Sequence, residues 1–309
     1  MTETISRDAG LNREVGAGPP PAVTPPAAIP AAAAPAPGVP ALADPTGGRR
    51  ASGGRRRVPP WTRRLAGPIL IYLVWQVASS SGLASSRDLP SPAAVVSAGR
   101  EMASSGDLGS ALAVSLYRVG MGLAFGVAIG LALAVLAGLF RLGEDVIDSA
   151  MNFLRTVPVI ALLPMIIIWI GIGEPAKIFL IAAGVVFPVY MNTFAGIRGV
   201  DARLVEAART FGLRGFGLVR RVIIPGALPG FLVGLRWALG VAWLLLVFAE
   251  QINADKGLGY LLNQGQSWNR TDVILLCVVI YGALGLLGDG LVRLLERSLL
   301  SWRRGFTGT

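Results

Sequence analysis

The residues that could do chemistry in this sequence are few, and they lie within or beside long apolar runs. Arg118, Arg236, Glu250 and Asp289 are ionisable, and placing such groups among apolar residues is costly enough to favour a functional role. Arginine suits an anionic ligand, and Arg236 is the candidate nearest the interior of a run. The structural alternatives are that a long side chain reaches a polar surface or that a carboxylate hydrogen-bonds to a neighbouring helix.

Asn192 and Trp243 join Arg236 and Glu250 as the candidate ligand-contacting residues. For Trp243, packing is the simpler interpretation. Glu250 and Asp289 lie near a predicted helix end or beside glycines, which favours an interhelical hydrogen bond or contact with the polar surface.

The sequence lacks the residues that several common catalytic and metal sites require. The sequence has no His and a single Cys, Cys277, inside an apolar run, which excludes an internal disulfide, a His-containing zinc site and Ser–His or Cys–His nucleophiles. Neither lysine, Lys177 nor Lys256, is followed by Ser or Thr, so the sequence lacks a Gly-x-x-x-x-Gly-Lys-Ser/Thr phosphate loop. Asp289 has no convincing second aspartate for a membrane protease. We expect no enzymatic activity, metal or cofactor, and any ATP hydrolysis must take place elsewhere.

A polar segment, residues 197–228, separates two apolar runs and has the pattern of a helical hairpin. Gly212 can adopt the left-handed conformation that ends a helix, and Gly215 keeps the next turn open. A second short helix is predicted over 216–224, stopped by Pro225. The first helix has an apolar side and charged residues elsewhere: Leu204, Ala207, Ala208 and Phe211, then Arg203, Glu206 and Arg209. The pattern predicts a rigid docking surface; the alternative is an ordinary amphipathic loop on a membrane.

The composition indicates that the elements around this hairpin are membrane helices. Hydrophobic residues make up 53% of the 309 residues and charged residues 15%, well below the ~25% typical of soluble domains, and the mean hydropathy is +0.61. The net charge of +10 comes largely from arginines that flank apolar runs, which is typical of membrane topology signals and argues against nucleic-acid binding.

Six apolar runs are close to the ~20 residues needed to cross a bilayer. We predict spans at about 65–83, 111–139, 146–170, 175–196, 229–250 and 272–295. The third should bend at Pro158 and Pro164. The second has small residues for close helix packing, namely Gly120, Gly122, Gly126, Gly130 and Gly138. An amphipathic stretch, 93–102, should lie along the membrane surface after the first span.

Lys and Arg residues beside the spans predict the orientation. With the amino terminus inside, nineteen fall on the cytoplasmic side and five outside, so both termini and the 197–228 loop are predicted to be cytoplasmic. Residues 1–60 should form a disordered Pro/Ala-rich basic tail. The other predicted regions are 61–110, with the first helix and the external amphipathic segment, a core over 111–296, and a cytoplasmic tail over 297–309.

The 197–228 segment resembles the cytoplasmic loop of the integral-membrane permease subunits of bacterial ABC importers, which carries Glu-Ala-Ala, then Gly, then an Ile-x-Leu-Pro-like end. The matching residues are Glu206-Ala207-Ala208, Gly212, Ile223-Ile224-Pro225 and Ala227-Leu228-Pro229. Ile224 stands where Leu is expected, a conservative change. The resemblance covers roughly 85–305. Further segments look like the branch that imports aliphatic sulfonates, taurine, nitrate or bicarbonate: Leu89-Pro90-Ser91-Pro92, Arg155-Thr156-Val157-Pro158, Phe187-Pro188-Val189-Tyr190 and Gly257-Leu258-Gly259-Tyr260.

The resemblance implies an all-α permease of the type I importer fold, with a five-helix core plus one N-terminal helix, in the bacterial inner membrane. It implies a homodimer with a second copy, two cytosolic ATPase subunits and an extracytoplasmic solute-binding protein. Glu206, Ala207, Ala208 and Gly212 would form the coupling helix that docks in the ATPase, and Pro225 would close its loop. Arg203, Arg209 and Arg214 would make ionic contacts at its rim.

Two other classes fit the sequence less well. A stand-alone secondary transporter usually has more spans or an inverted repeat with paired broken helices. A membrane enzyme needs clustered catalytic groups, and the sequence has scattered single ones. The substrate is not encoded in an obvious motif. The sulfonate-type permeases are the best match, so an aliphatic sulfonate or a related small oxyanion is the expected substrate, with nitrate, bicarbonate or taurine as the alternatives.

Overall fold

The computed structural model describes residues 60–81, 85, 87–300 and 302. Within these ranges every regular element is helical, which confirms the predicted all-α class. The tail predicted over 1–60 lies almost entirely outside the described residues, as does most of the tail predicted over 297–309.

The described chain forms ten consecutive helical segments. In order they are α1 (Pro60–Ser80), α2 (Pro92–Ser104), α3 (Asp107–Leu139), α4 (Arg141–Leu154), α5 (Val159–Ile170), α6 (Glu174–Arg198), α7 (Ala202–Thr210), α8 (Gly215–Ile252), α9 (Leu258–Ser267) and α10 (Thr271–Leu299).

Four of these helices, α3, α6, α8 and α10, are long and apolar enough to cross a membrane. The pair α4 and α5 adds one further span at most. In α1 the apolar part is confined to Gly67–Ser80, which is short of the ~20 residues that a span requires. The first of the six predicted spans therefore stays a prediction. The other five correspond to observed helices or, for the third, to the pair α4 and α5.

The third predicted span is sharply broken. Helices α4 and α5 meet at 85°, so the segment is a broken span or a re-entrant loop, where the sequence predicted a bent but continuous helix. The break falls at Pro158, whose backbone is extended (φ −63°, ψ 112°). Pro164 causes no bend, because it occupies the first turn of the α-helical part of α5, where its missing N–H has no intrahelical partner to lose.

Helix α6 lies at the centre of the bundle, between α3 and α8. Glycines on α3 bring the two backbones together: a Cβ built at Gly126 would lie 2.6 Å from Val185 Cβ and 2.7 Å from Ala182 O. Gly122, Gly130 and Gly138 face α6 in the same way. Gly120, which the sequence predicts to share this role, does not face α6, since nothing lies within 4 Å of a Cβ built there. Small residues also join α6 to α8.

Helices α2 and α9 close one end of the bundle. Ser91 caps α2, its Oγ accepting from Ala94 N at 3.3 Å. Buried residues of α2 form one core cluster with residues of α9 and α10. The apolar side of the predicted amphipathic stretch is thus packed on protein rather than left on a membrane surface.

Candidate functional site

Helix α7, in the middle of the predicted docking loop, begins and ends with local hydrogen bonds. The Asp201 carboxylate accepts from Arg203 N at 2.9 Å and caps its start. At its end Gly212 is left-handed (φ +84°), its N–H donates to Arg209 O at 2.9 Å, and Leu213 N donates to Ala208 O at 3.0 Å. These two bonds are the Schellman pattern, and they confirm that Gly212 ends the helix.

The surface of α7 is uncovered. None of its residues is buried, and the aromatic side chains that follow it, Phe211 and Phe216, are 86% and 77% exposed. Leu204 is exposed on α7 itself, and Ala207 lies on the surface beside it. Leu204, Ala207 and Phe211 recur at helical spacing and so form one apolar patch. A contiguous exposed patch that polar residues surround is typical of a surface that another protein covers.

The charged residues predicted around this surface are also exposed. Among the described residues, none of the four forms an ion pair; they are Arg203, Glu206, Arg209 and Arg214. A partner with carboxylates around an apolar groove would complement the three arginines.

Pro225 does not stop the second helix, contrary to the sequence-based prediction. The chain is helical from Gly215 through Ile252, passing both Pro225 and Pro229. The turn before Pro225 is a π-helix, Val219–Ile223. Proline lacks an N–H and crowds the carbonyl four residues earlier, and a wider turn at that point removes the conflict. The loop is therefore joined to α8 by continuous helix.

Two residues singled out on the sequence, Arg118 and Glu250, meet in the bundle. Arg118 is 2% exposed, and its Nη1 donates to Glu250 Oε1 at 2.7 Å. Its Nε and Nη2 donate to both oxygens of Glu174, at 2.6 and 2.5 Å. The expectation of an interhelical bond for Glu250 is thus realised. Glu174, Ser115 and Lys177 belong to the same cluster and were not predicted.

The remaining candidates are not brought to one place. Arg236 pairs with Asp289 (3.0 Å) and Glu296 (2.9 Å) on α10. It lies fourteen residues before Glu250 on α8, about 21 Å along the axis. Asn192 donates to Pro188 O in its own helix at 2.8 Å. Trp243 packs edge-on against Tyr281, with ring centroids 6.4 Å apart. The structure does not assemble these four residues into a single ligand site.

The bundle of long apolar helices, with the exposed helix α7 between two of them, has the architecture of a polytopic membrane protein. The chain belongs to the family described as "Binding-protein-dependent transport system inner membrane component", which it matches over residues 126–301. It is an integral-membrane, multi-pass transport permease of the ABC importer type.

Its relatives include the putative aliphatic sulfonates transport permease protein SsuC of Escherichia coli, 46% identical over 250 residues, which are 81% of this chain and 94% of the relative. The protein of the same description from Bacillus subtilis is 41% identical over 84% of this chain and 94% of its own. The taurine transport system permease protein TauC of Escherichia coli is 34% identical over 75% and 86%.

A solved structure described as an amino acid ABC transporter has the same fold. It aligns with a TM-score of 0.53 over 64% of this chain and 97% of its own, at 22% sequence identity. The likeness supports the predicted importer permease fold.

Proposed function

We propose that this chain is the membrane subunit of an ATP-driven importer for aliphatic sulfonates or a related small oxyanion. It pairs with a second copy of itself, receives substrate from an extracytoplasmic solute-binding protein and is driven by separate ATPase subunits. Relatives named for sulfonates match at 46% and 41% identity, above those named for taurine (34%) and bicarbonate (31%). Taurine, nitrate and bicarbonate are the alternative substrates.

The observation that carries this proposal is the exposed apolar surface of the α7 loop. Phe211 is 86% exposed on a segment between α6 and α8, and the positive charge of this segment favours a cytoplasmic location. An ATPase groove that accepts Leu204 and Phe211 would bury this surface, with Glu206 and the loop arginines at its margin. Closure of two ATPase subunits would then move α7 and, through the unbroken helix after Gly215, α8.

A pair of matched substitutions tests the docking role. Glu206→Lys and Phe211→Ser should lower the recovery of the ATPase subunit with the tagged permease from membranes, because one reverses a charge and the other removes an apolar anchor. Asp145→Lys and Leu142→Ser make comparable changes at exposed positions of α4. These controls should retain the ATPase.

All four variants should reach the membrane at wild-type levels, since none alters a buried residue. Equal ATPase recovery with Glu206→Lys, Phe211→Ser and the two controls would remove α7 from the docking interface. Gly212→Asp extends the same test to the helix end, where a side chain must adopt the unfavourable left-handed backbone.

A further inference from the structure

The buried ionic cluster around Arg118 lies at the end of the bundle opposite the α7 loop. Arg118 is on α3, Glu174 begins α6, Glu250 is near the end of α8, and Arg118 Nη1 also donates to Lys256 O in the loop between α8 and α9 at 2.7 Å. Lys177 Nζ adds a bond to Glu174 at 3.1 Å. One guanidinium therefore ties three helices and one loop together at this end of the bundle, which the predicted topology makes extracytoplasmic.

Glu250 and Ser115 attach helix α9 to this cluster. The Glu250 carboxylate accepts from Gly259 N at 2.8 Å, and Ser115 Oγ accepts from Leu258 N at 2.9 Å while donating to Glu250 at 2.7 Å. These N–H groups are the free donors of the first turn of α9. A Cβ at Gly257 would lie 2.5 Å from the Glu250 carboxylate, so glycine is required there.

The two carboxylates that hold Arg118 differ in their access to water. Glu250 is fully buried, whereas the Glu174 side chain is 46% exposed. A cavity of about 400 Å³ opens beside the cluster, lined by Val114, Tyr117, Arg118, Glu174, Asp255 and Lys256. Glu174 can therefore exchange Arg118 for water while buried Arg118 keeps Glu250 as its counterion, but Arg118 and Glu250 cannot separate without leaving charges buried.

We propose that the Arg118–Glu174 pair is a lock that holds the extracytoplasmic end of the permease closed in the resting importer. Breaking it releases only the first turn of α6 from α3 and from the 254–257 loop, because the glycine-packed remainder of α3 and α6 stays together and the buried Glu250–Ser115 contacts keep α9 attached to α8. Docking of the solute-binding protein over this end supplies the competing polar contacts that release Arg118 from Glu174. The inference rests on the proposed importer function. It adds the residues that make ATP hydrolysis dependent on docking of the solute-binding protein.

Glu174→Gln tests the lock with minimal damage to the fold, because the residue is half-exposed and the amide keeps its size. The assay is ATP hydrolysis by the full permease–ATPase complex in proteoliposomes, with and without solute-binding protein loaded with ethanesulfonate. With the lock weakened, hydrolysis without binding protein should rise at least about fivefold, the lower range of coupling between sites, and the stimulation by binding protein should shrink.

Glu101→Gln is the matched control at the same face. Glu101 also accepts two bonds from one arginine, Arg270, at 3.1 and 3.0 Å, but it joins α2 to the start of α10 and not α3 to α6. Hydrogen bonding to Arg270 lowers the pKa of Glu101, so the control likewise removes a negative charge. It should leave hydrolysis without binding protein at the wild-type level.

A second readout follows the conformation directly. The one native cysteine, Cys277, is buried, so Val114→Cys in a Cys277→Ala background gives a single reporter in the cavity wall. A membrane-impermeant maleimide added outside should label it faster when Glu174→Gln is present. A merely structural role for Glu174 would instead lower hydrolysis and the yield of folded complex together.

The outcomes separate the lock from the proposed function. If the wild-type complex is not stimulated by loaded binding protein, the importer proposal itself fails. If the wild-type complex is stimulated but Glu174→Gln shows unchanged unstimulated hydrolysis and unchanged labelling, the lock is refuted and the importer proposal stands.

Discussion

The close packing of α3 on α6 predicts that Gly126→Ala destabilises the protein, by an amount that follows from the distances between the two helices. Replacing Gly126 by Ala places a methyl group 2.6 Å from Val185 Cβ and 2.7 Å from Ala182 O. An ordinary contact begins near 3.4 Å, so the helices would have to separate by roughly 0.8 Å. Neither contact atom lies at the end of a flexible side chain, and overpacking of this kind costs about 1–3 kcal/mol.

Gly120→Ala is the control on the same helix. It makes the same chemical change, but nothing lies within 4 Å of the new methyl group, and any gain in helix propensity is common to both variants. The difference between the two variants therefore reports packing alone. At about 2–4 °C per kcal/mol, Gly126→Ala should melt roughly 2–12 °C below Gly120→Ala.

Thermal unfolding of the purified variants in detergent, followed by tryptophan fluorescence, measures this difference. Equal melting temperatures would show that α3 and α6 do not approach each other as closely as described, and would refute the role of the glycine face.

Three further predictions concern single contacts. Gly212→Ala should weaken ATPase recovery, because a non-glycine residue in the left-handed region costs about 1–2 kcal/mol. Gly217→Ala should not, because Gly217 is not left-handed and a Cβ there would meet only Leu213 Cδ2, at 3.9 Å; equal recovery of the two variants would contradict the helix-end role. Tyr190→Phe removes the 3.0 Å bond from Tyr190 Oη to Asp148 while keeping the stack on Phe194, and should cost about 1 kcal/mol in thermal unfolding; an unchanged melting temperature would contradict it. Arg236→Ala should leave substrate uptake close to wild type, because this arginine already pairs with two carboxylates; a large loss of uptake with intact ATPase binding would instead support a substrate contact.

Local features of the site could be predicted from the sequence because their causes are local. Gly212 ends α7 through bonds that span five residues, and the apolar spacing of Leu204 and Phe211 follows from the helical period. The same helical period predicts that Gly120 and Gly122 cannot both face α6, since residues two apart lie on nearly opposite sides of a helix.

Other features depend on contacts that no sequence window contains. Arg118 meets Glu174 and Glu250, 56 and 132 residues away, so their charges could be noticed singly but not paired. Proline usually ends a helix, so the sequence predicts a helix end at Pro225. The π-turn before Pro225 instead lets the helix continue. The direction of the chain after the 85° break at Pro158 is another such feature, because α5 packs on α6.

Uptake of labelled ethanesulfonate into proteoliposomes tests the central claim most directly. The vesicles would contain the permease and its ATPase, with ATP on the ATPase side and the solute-binding protein on the other. We predict that accumulation requires both ATP and binding protein, is lost with Glu206→Lys and persists with Asp145→Lys. Accumulation without ATP, or equal accumulation by the two variants, would contradict an ATP-driven importer coupled through α7.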